Sequence, residues 1–385
     1  LISKFALVYT PVVVILALLV CVIPPIFLGD WLAWLKVGLT FLVVSCPCAI
    51  VISVPLAFFS GIGGASSVGV LIKGGNYVEM LAKAKTFALD KTGTITVGKM
   101  VVASVYPEQD RDRILRLAAV AESGSNHPIA RAIRGAVEVD ATGYSAWEVA
   151  GKGVIASKRG EEIAVGNEKL MRSYGINVRP ENESGTVVYV ALNGELVGAI
   201  TVADAIKEGS ASAVSELRKK GGRVIILSGD GENTVKSVAE KVGITEYYAN
   251  LLPSDKVERL EYILSDDKSG VVAFVGDGIN DAPSIVRADV GIAMGAIGSD
   301  SAIEAADAVL MYDDLGAIVK ARKICKKTVS IAKQNIIFSL AVKIGIMILS
   351  LVGFANMWLA VIGDVGVAMI AILNSLRAGK TPKNG

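Results

Sequence analysis

Neither sign of charge predominates in this sequence. It holds 39 Lys and Arg against 37 Asp and Glu, a formal net charge of +2, and nothing in that balance argues for a nucleic-acid partner. Cysteine is scarce, at four residues, too few for a disulfide framework. Histidine occurs once, at His127. No internal repeat or low-complexity tract is visible. The first apolar run has no cleavage-like end and leads straight into another, so it is not expected to be a removable signal peptide. What is abundant is apolar surface: 52% of the 385 residues are hydrophobic, in a chain long enough for two or three domains.

That hydrophobicity sits at the two ends. Phe5 to Leu28 is uncharged, and roughly 20 such residues span a bilayer. Val37 to Ile72 is also uncharged, with a Gly- and Ser-rich stretch from Gly61 to Gly69 expected to leave the membrane. Asn335 to Phe354 and Trp358 to Leu376 read as two further spans, each interrupted by one charge, Lys343 and Asp364. Lysines flank the spans at Lys73, Lys83 and Lys85 and at Lys323, Lys326, Lys327 and Lys333. The positive-inside rule places these flanks, both termini and the whole middle in the cytoplasm.

In the middle, short apolar runs end in polar or Gly-rich turns. Phe87 to Leu89 runs into Asp90, Val224 to Leu227 into Ser228-Gly229-Asp230, and Val271 to Val275 into Gly276-Asp277-Gly278. Val290 to Met294 and Ala308 to Met311 read as further strands, with helical patterns at Ala211 to Lys220 and Thr234 to Val242. This alternation predicts a parallel α/β sheet, whose ligands gather at the carboxyl ends of the strands. Asp90, Ser228, Asp230 and Asp277 would then share one edge. Between 104 and 202 the pattern changes: Val187 to Leu192, Asn193-Gly194 and Glu195 to Val202 form a hairpin signal with a type I′ turn. This stretch reads as a separate α+β domain inserted into the sheet domain.

Asp90-Lys91-Thr92-Gly93-Thr94-Ile95-Thr96 directly follows a buried strand. A carboxylate there can attack a phosphoryl group and form an acyl phosphate. The transfer needs positive charge and Mg²⁺ to offset developing negative charge. Asp277 suits a hard cation as a second ligand beside Asp90 and Thr92. Lys256 is placed to clamp the phosphate, and Ser228 and the Gly229 amide to bind its oxygens. A single Asp at a strand end is as readily a helix N-cap; the combination is what favours chemistry.

DKTGTIT, SGD at Ser228 to Asp230, and GDGINDAP from Gly276 to Pro283 resemble the signature set of P-type ATPases. The resemblance covers essentially the whole chain. It implies a haloacid-dehalogenase-like phosphorylation domain in which Asp90 is phosphorylated, Asp277 helps hold Mg²⁺, and Asn280 and Asp281 complete the phosphate end beside Lys91 and Thr92. Glu122, His127 before Pro128, Gly151-Lys152-Gly153 and Gly166-Asn167 are similar to the ATP-contacting set of the heavy-metal branch. That similarity implies ATP contacts from Glu122, His127, Gly151, Gly153, Gly166 and Asn167. Asn126 departs from the branch, which commonly has Glu before the His.

Ser45-Cys46-Pro47-Cys48 lies mid-span. Positions i and i+2 of an ideal helix point apart, and Pro47 is expected to unwind it. Thiolates select Zn, Cd, Pb or Cu(I) over Mg, Ca or Na. Cys-Pro-Cys resembles the transport-site motif of heavy-metal P-type ATPases. Lys343 and Asp364 lie too deep for easy snorkelling, where an ionisable group costs about 2.5–3.5 kcal/mol and is usually paired and functional. A structural ion pair is the plain reading. The functional one has Asp364 adding a hard ligand that favours a divalent ion over Cu(I), with Lys343 neutralising the empty site. Lys in one late span and Asp-x-Gly in the next is similar to the zinc, cadmium and lead subgroup.

The expected organisation is transmembrane helices with Cys-Pro-Cys at 1–72, a stalk and the first part of the phosphorylation domain at 73–103, and the nucleotide-binding domain at 104–202. The rest of the phosphorylation domain follows at 203–325 and two C-terminal transmembrane helices at 326–385. No Thr-Gly-Glu-type loop occurs, so the chain is expected to be a C-terminal portion lacking the actuator domain and earlier helices of such a pump. The resemblance implies ATP-driven export of Zn²⁺, Cd²⁺ or Pb²⁺ by an integral membrane protein of a prokaryotic plasma membrane. The rival expectations are a truncated non-transporting fragment and a membrane-tethered phosphatase of the same fold.

Overall fold

The computed structural model describes residues 2–45, 48–178, 185–219, 221–266, 270–277, 279–295, 300–351 and 357–380. The chain divides into two compact units. The first is Leu1–Ala84 with Asp307–Met311 and Ala317–Gly385; the second is Lys85–Ala306 with Tyr312–Gly316.

The first unit is helical. Its long elements are Ile2–Leu28, Trp31–Val44, Cys48–Ser67, Gly316–Leu351 and Met357–Ser375. Among the described residues, three helices are long and apolar enough to cross a membrane, those containing Pro11–Leu28, Cys48–Ser67 and Gly316–Leu349. The expected single run from Val37 is thus two helices, one ending at Val44 and one starting at Cys48; Cys46 and Pro47 lie outside the described residues. Helix Cys48–Ser67 continues through Gly61, Gly63 and Gly64 because two of these glycines serve packing. A Cβ on Gly61 would sit 2.3 Å from Thr328 Oγ1, and one on Gly64 would sit 2.4 Å from the Gly379 carbonyl. Small residues at these points let the helix backbones approach closely.

The second unit carries two sheets. Strands Val290–Met294, Val271–Gly276, Ala84–Asp90, Arg223–Leu227 and Glu246–Tyr248 lie side by side in that order. The pairings of Val271–Gly276 with Val290–Met294, of Ala84–Asp90 with Arg223–Leu227, and of Arg223–Leu227 with Glu246–Tyr248 are parallel. Phe87, Ala88, Leu89, Ile225, Ile226 and Val272 to Val275 are fully buried. Continuous apolar strands of this kind belong to a parallel sheet covered on both faces.

The second sheet is antiparallel, in the order Thr96–Tyr106, Glu195–Ile206, Thr186–Leu192, Glu161–Gly166, Gly153–Lys158 and Ser145–Val149. The expected boundaries at 104 and 202 fall inside its first two strands. Side chains alternate between its faces. Ile163, Val165, Val188, Val190 and Ile200 meet Ile114, Leu115, Ala118 and Ile133 of helices Arg111–Ala121 and Pro128–Ala136. Ala164, Tyr189 and Ala191 face Leu170 and Met171 of helix Glu168–Ser173. The hairpin turn has positive φ at both Asn193 (51°) and Gly194 (82°), as a type I′ turn requires, with Leu192 opposite Glu195.

Candidate active site and metal path

Three strand ends build the first site. Asp90 closes the central parallel strand Ala84–Asp90, its register partner Leu227 leads into Ser228, and Asp277 follows Val271–Gly276. Asp90 sits at the N-terminus of the turn Lys91–Ile95 yet makes no side-chain capping bond, and neither does Asp281 at the start of helix Ala282–Arg287. Both carboxylates accept instead from Lys256 Nζ, Asp90 Oδ1 at 2.6 Å and Asp281 Oδ1 at 2.8 Å. Helix Pro253–Ser265 delivers this lysine. Pro253 opens the helix, the Asp255 carboxylate accepts from the Leu252 amide at 3.0 Å, and Lys256 comes next.

Asp90, Asp277 and Asp281 each bring a carboxyl oxygen within 4.8 Å of the others. Burial pushes the Asp90 carboxyl up to about 7, helped by the Asp281 charge and opposed by Lys256. Asp277 is raised for the same reasons, burial first and then Asp281. Three carboxylates against one shared ammonium leave an excess of negative charge. Hard oxygen donors crowded in this way fit Mg²⁺.

Gly93 makes the close approach possible. Its φ is +72°, and a Cβ there would lie 1.5 Å from Asp277 Oδ2. Lys91 is buried and turns aside to Asp230 Oδ2, at 2.5 Å. Thr92 Oγ1 donates to that same oxygen at 3.2 Å, and Ser228 Oγ at 3.3 Å. Burial raises the Asp230 carboxyl, but Lys91 and these hydroxyls outweigh it and hold it below the ordinary carboxylate range. The Gly229–Asp230 turn returns an amide to the Ser228 hydroxyl, Asp230 N donating to Ser228 Oγ at 3.2 Å. Asn280 is exposed in the short turn Ile279–Asp281.

Sequence reading missed three charged groups here. Asp204 accepts from Gly98 N at 2.9 Å and from Thr96 Oγ1, and lies 3.7 Å from Lys91 Nζ. Lys207, also buried, donates to the Gly93 carbonyl and to Asp313. These contacts join positions more than a hundred residues apart, and no local pattern announces them.

A second cavity, of about 400 Å³, lies in the antiparallel-sheet region. Glu122, His127, Gly151, Gly153, Gly166 and Asn167, the six residues singled out for nucleotide, all line it. Ser125, Glu148, Lys152 and Thr186 to Val188 join them. His127 caps helix Pro128–Ala136, its Nδ1 accepting from Ile129 N at 3.3 Å, which leaves the ring proton on Nε2. Asn167 caps Glu168–Ser173 and donates to the Gly151 carbonyl at 2.9 Å. Gly153, at φ +149°, has no room for a Cβ, which would meet the Val165 carbonyl at 2.1 Å. Glu122 is buried, and its Oε2 has no hydrogen-bond partner among the described residues. Burial pushes its carboxyl up to about 7, Ser125 and Arg134 pulling the other way.

In the helical unit, Lys343 is buried and bonds Asp364 Oδ1 at 2.7 Å. Cys46 lies outside the described residues. Cys48 opens helix Cys48–Ser67.

The profile of the haloacid dehalogenase-like hydrolases matches residues 84–289, the stretch that holds the parallel strands ending at Asp90, Leu227 and Gly276. The chain belongs to that family. Over 98% of its length it is 46% identical to a cadmium, zinc and cobalt-transporting ATPase of Bacillus subtilis, covering 55% of that protein. It is 43% identical to a zinc-transporting ATPase of Synechocystis over the same share, covering 54% of that protein. The crystal structure of a zinc-transporting PIB-type ATPase in the E2.Pi state superposes with a TM-score of 0.86 at 35% identity, over 98% of this chain and 63% of that one. The resemblance expected from DKTGTIT and GDGINDAP is met by these relatives. The chain spans about half the length of the curated relatives it matches.

Proposed function

We propose that the chain is the catalytic and metal-conducting portion of a heavy-metal P-type ATPase that exports a soft divalent cation, Zn²⁺, Cd²⁺ or Pb²⁺, at the expense of ATP. The observation that carries this reading is the convergence of Asp90, Lys256, Asp277 and Asp281 at the end of a buried parallel strand.

Ionised Asp90 attacks the γ-phosphorus of ATP. A carboxyl O–P bond forms, the bond from phosphorus to the bridging oxygen breaks, and ADP leaves. Lys256 sets the Asp90 carboxyl in place and neutralises charge on the transferred group. The Gly93 carbonyl and Asp204, tied to Lys207 and Lys91, hold the loop around it. Asp90, the Thr92 position and Asp277 would hold Mg²⁺, which supplies positive charge against the phosphoryl oxygens. Ser228 and the Gly229 amide bind those oxygens. The 400 Å³ cavity takes the nucleotide, with Glu122, His127, Gly151, Gly153, Gly166 and Asn167 as its contacts.

Asp364 supplies a carboxylate to the cation together with the Cys46 and Cys48 thiolates, and Lys343 occupies the carboxylate when the cation has left. The spans lie in a prokaryotic plasma membrane with the catalytic unit cytoplasmic, as the lysine flanks favour. The test is phosphoenzyme formation from ATP by wild type and Asp90→Asn. The reading predicts an acid-stable, hydroxylamine-sensitive product in the first alone.

A further inference from the structure

Helix Gly316–Leu351 and the stretch from helix Met357–Ser375 to Arg377 frame a groove of about 360 Å³. The two helices run in opposite directions. Asn335 Nδ2 donates to the Ala371 carbonyl at 3.0 Å and Asn374 Nδ2 to Asn335 Oδ1 at 2.9 Å, whereas further along Lys343 bonds Asp364. The groove therefore has a polar end, with Gln334 and Arg377, and an apolar end, with Phe338 and Ile370. Leu373 lies between Ile370 and Arg377 on the same wall, and Phe338, Ile370 and Leu373 are all exposed.

Arg377 is held at the polar end by a packed turn. Its neighbour Ala378 is fully buried, Gly379 N donates to Ser60 Oγ at 2.9 Å, and the Lys380 carbonyl accepts from Lys327 Nζ at 2.8 Å. Arg377 Nη1 donates to Asn374 Oδ1 at 2.9 Å. That bond uses one of the guanidinium's five N–H groups. Among the described residues no carboxylate pairs with Arg377. From Gly316 to Gly385 the sequence holds a single acidic residue, Asp364, which bonds Lys343 about 20 Å of helix away. Lys327, Lys333 and Lys380 add to the positive charge at this end. A basic pocket between helices at the cytoplasmic surface attracts anionic headgroups, and a guanidinium fork suits phosphate oxygens. The apolar end continues the hollow in the direction an acyl chain would take. Ordinary lipid contact with a span requires neither the hollow nor a positioned guanidinium.

We propose that this groove binds one anionic glycerophospholipid from the surrounding membrane, its phosphate on Arg377 and an acyl chain along Leu373, Phe338 and Ile370. The proposal rests on the membrane reading of the helical unit and is independent of which cation is carried. The experiment is native mass spectrometry of the detergent-purified protein that contains this chain, with phosphatidylglycerol and phosphatidylcholine of the same acyl chains as probes. Wild type, Arg377→Gln, Lys333→Gln and Leu373→Trp are compared, each with a thermal melt. Wild type is expected to retain phosphatidylglycerol about tenfold more than phosphatidylcholine, and Arg377→Gln to cut that preference to about threefold or less. Lys333→Gln, which removes a neighbouring charge outside the groove, should keep the preference. Leu373→Trp, which fills the groove and keeps Arg377, should lose the bound lipid. Equal losses in Lys333→Gln and Arg377→Gln would reduce the effect to general attraction and overturn the site, as would undiminished retention in Leu373→Trp. Displacement of the lipid by inorganic phosphate would make it a free-anion site and overturn the proposal too. Release of the protein from vesicles by alkaline carbonate would instead sink the membrane reading.

Discussion

Asp90 is pulled in two directions by its surroundings. Burial and the Asp281 charge favour the neutral acid, whereas nucleophilic attack requires the carboxylate, and Lys256 is the only cation bonded to it among the described residues. A divalent cation between Asp90 and Asp277 would tip that balance. The approach depends on Gly93. Gly93→Ala is expected to lower phosphoenzyme formation by about a hundredfold or more, because the new Cβ displaces the Asp277 carboxylate. Phosphoenzyme yield read beside a circular-dichroism melt separates this from unfolding. Glu122 gives a prediction of a different kind. Its folded-state pKa of about 7 lies above the ordinary 4.5, so the folded form keeps a proton that the unfolded chain releases. Its stabilising contribution is full below the ordinary value and is lost as pH rises through 7. Glu122→Gln should therefore match wild type near pH 4.5 and exceed it at pH 8 by about 1–2 kcal/mol, after allowance for solvent screening. Urea melts at the two pH values check this, and equal differences at both would contradict it.

Among the elements, the inner parallel strands were readable because their cores are short apolar runs punctuated by Asp or Gly, whereas the edge strand Glu246–Tyr248, with Glu-Tyr-Tyr and no apolar run, was not. Val290–Met294 matches its sequence expectation to the residue, and Arg223–Leu227 to within one. The outer parts of Thr96–Tyr106 and Glu195–Ile206 were not readable. Lys99, Met100 and Val101 are exposed, and Asp204 points its charge at Lys91, so neither stretch shows clean alternation. What holds them is a pairing across a hundred residues, Met100 opposite Asp204 and Val102 opposite Val202. The six residues proposed to contact nucleotide, which line one cavity, were grouped through the family resemblance. His127 and Asn167 also cap helices, a duty that a lone polar residue before Pro or Glu would suggest by itself. The strand bounds carry a prediction about isolated domains. Residues 96–206 expressed alone should fold and bind ATP, with NMR shifts centred on His127, Gly151 and Gly153. Residues 104–202, which cut both strands, should be markedly less stable. Shifts confined to residues far from the cavity would count against it as the nucleotide site.

At the scale of the whole molecule, the proposal couples a phosphorylation site in one unit to a cation site in the other, and the two can be tested together. Asp364→Ala removes the proposed hard ligand and its bond with Lys343. It is expected to abolish stimulation of ATP hydrolysis by Zn²⁺ and Cd²⁺ in the protein that contains this chain, with ATP binding intact. Stimulation chiefly by Cu⁺, indifferent to Asp364, would reassign the cargo. The most direct measurement of the central claim is labelling with ATP carrying an isotopic γ-phosphate in the presence of Zn²⁺ or Cd²⁺, followed by acid quench, proteolysis and mass spectrometry. The account predicts one hydroxylamine-sensitive phosphorylated peptide, carrying the label on Asp90, absent in Asp90→Asn and weakened when Asp277 is replaced. Label on any other residue, or at the wild-type level in Asp90→Asn, would contradict it.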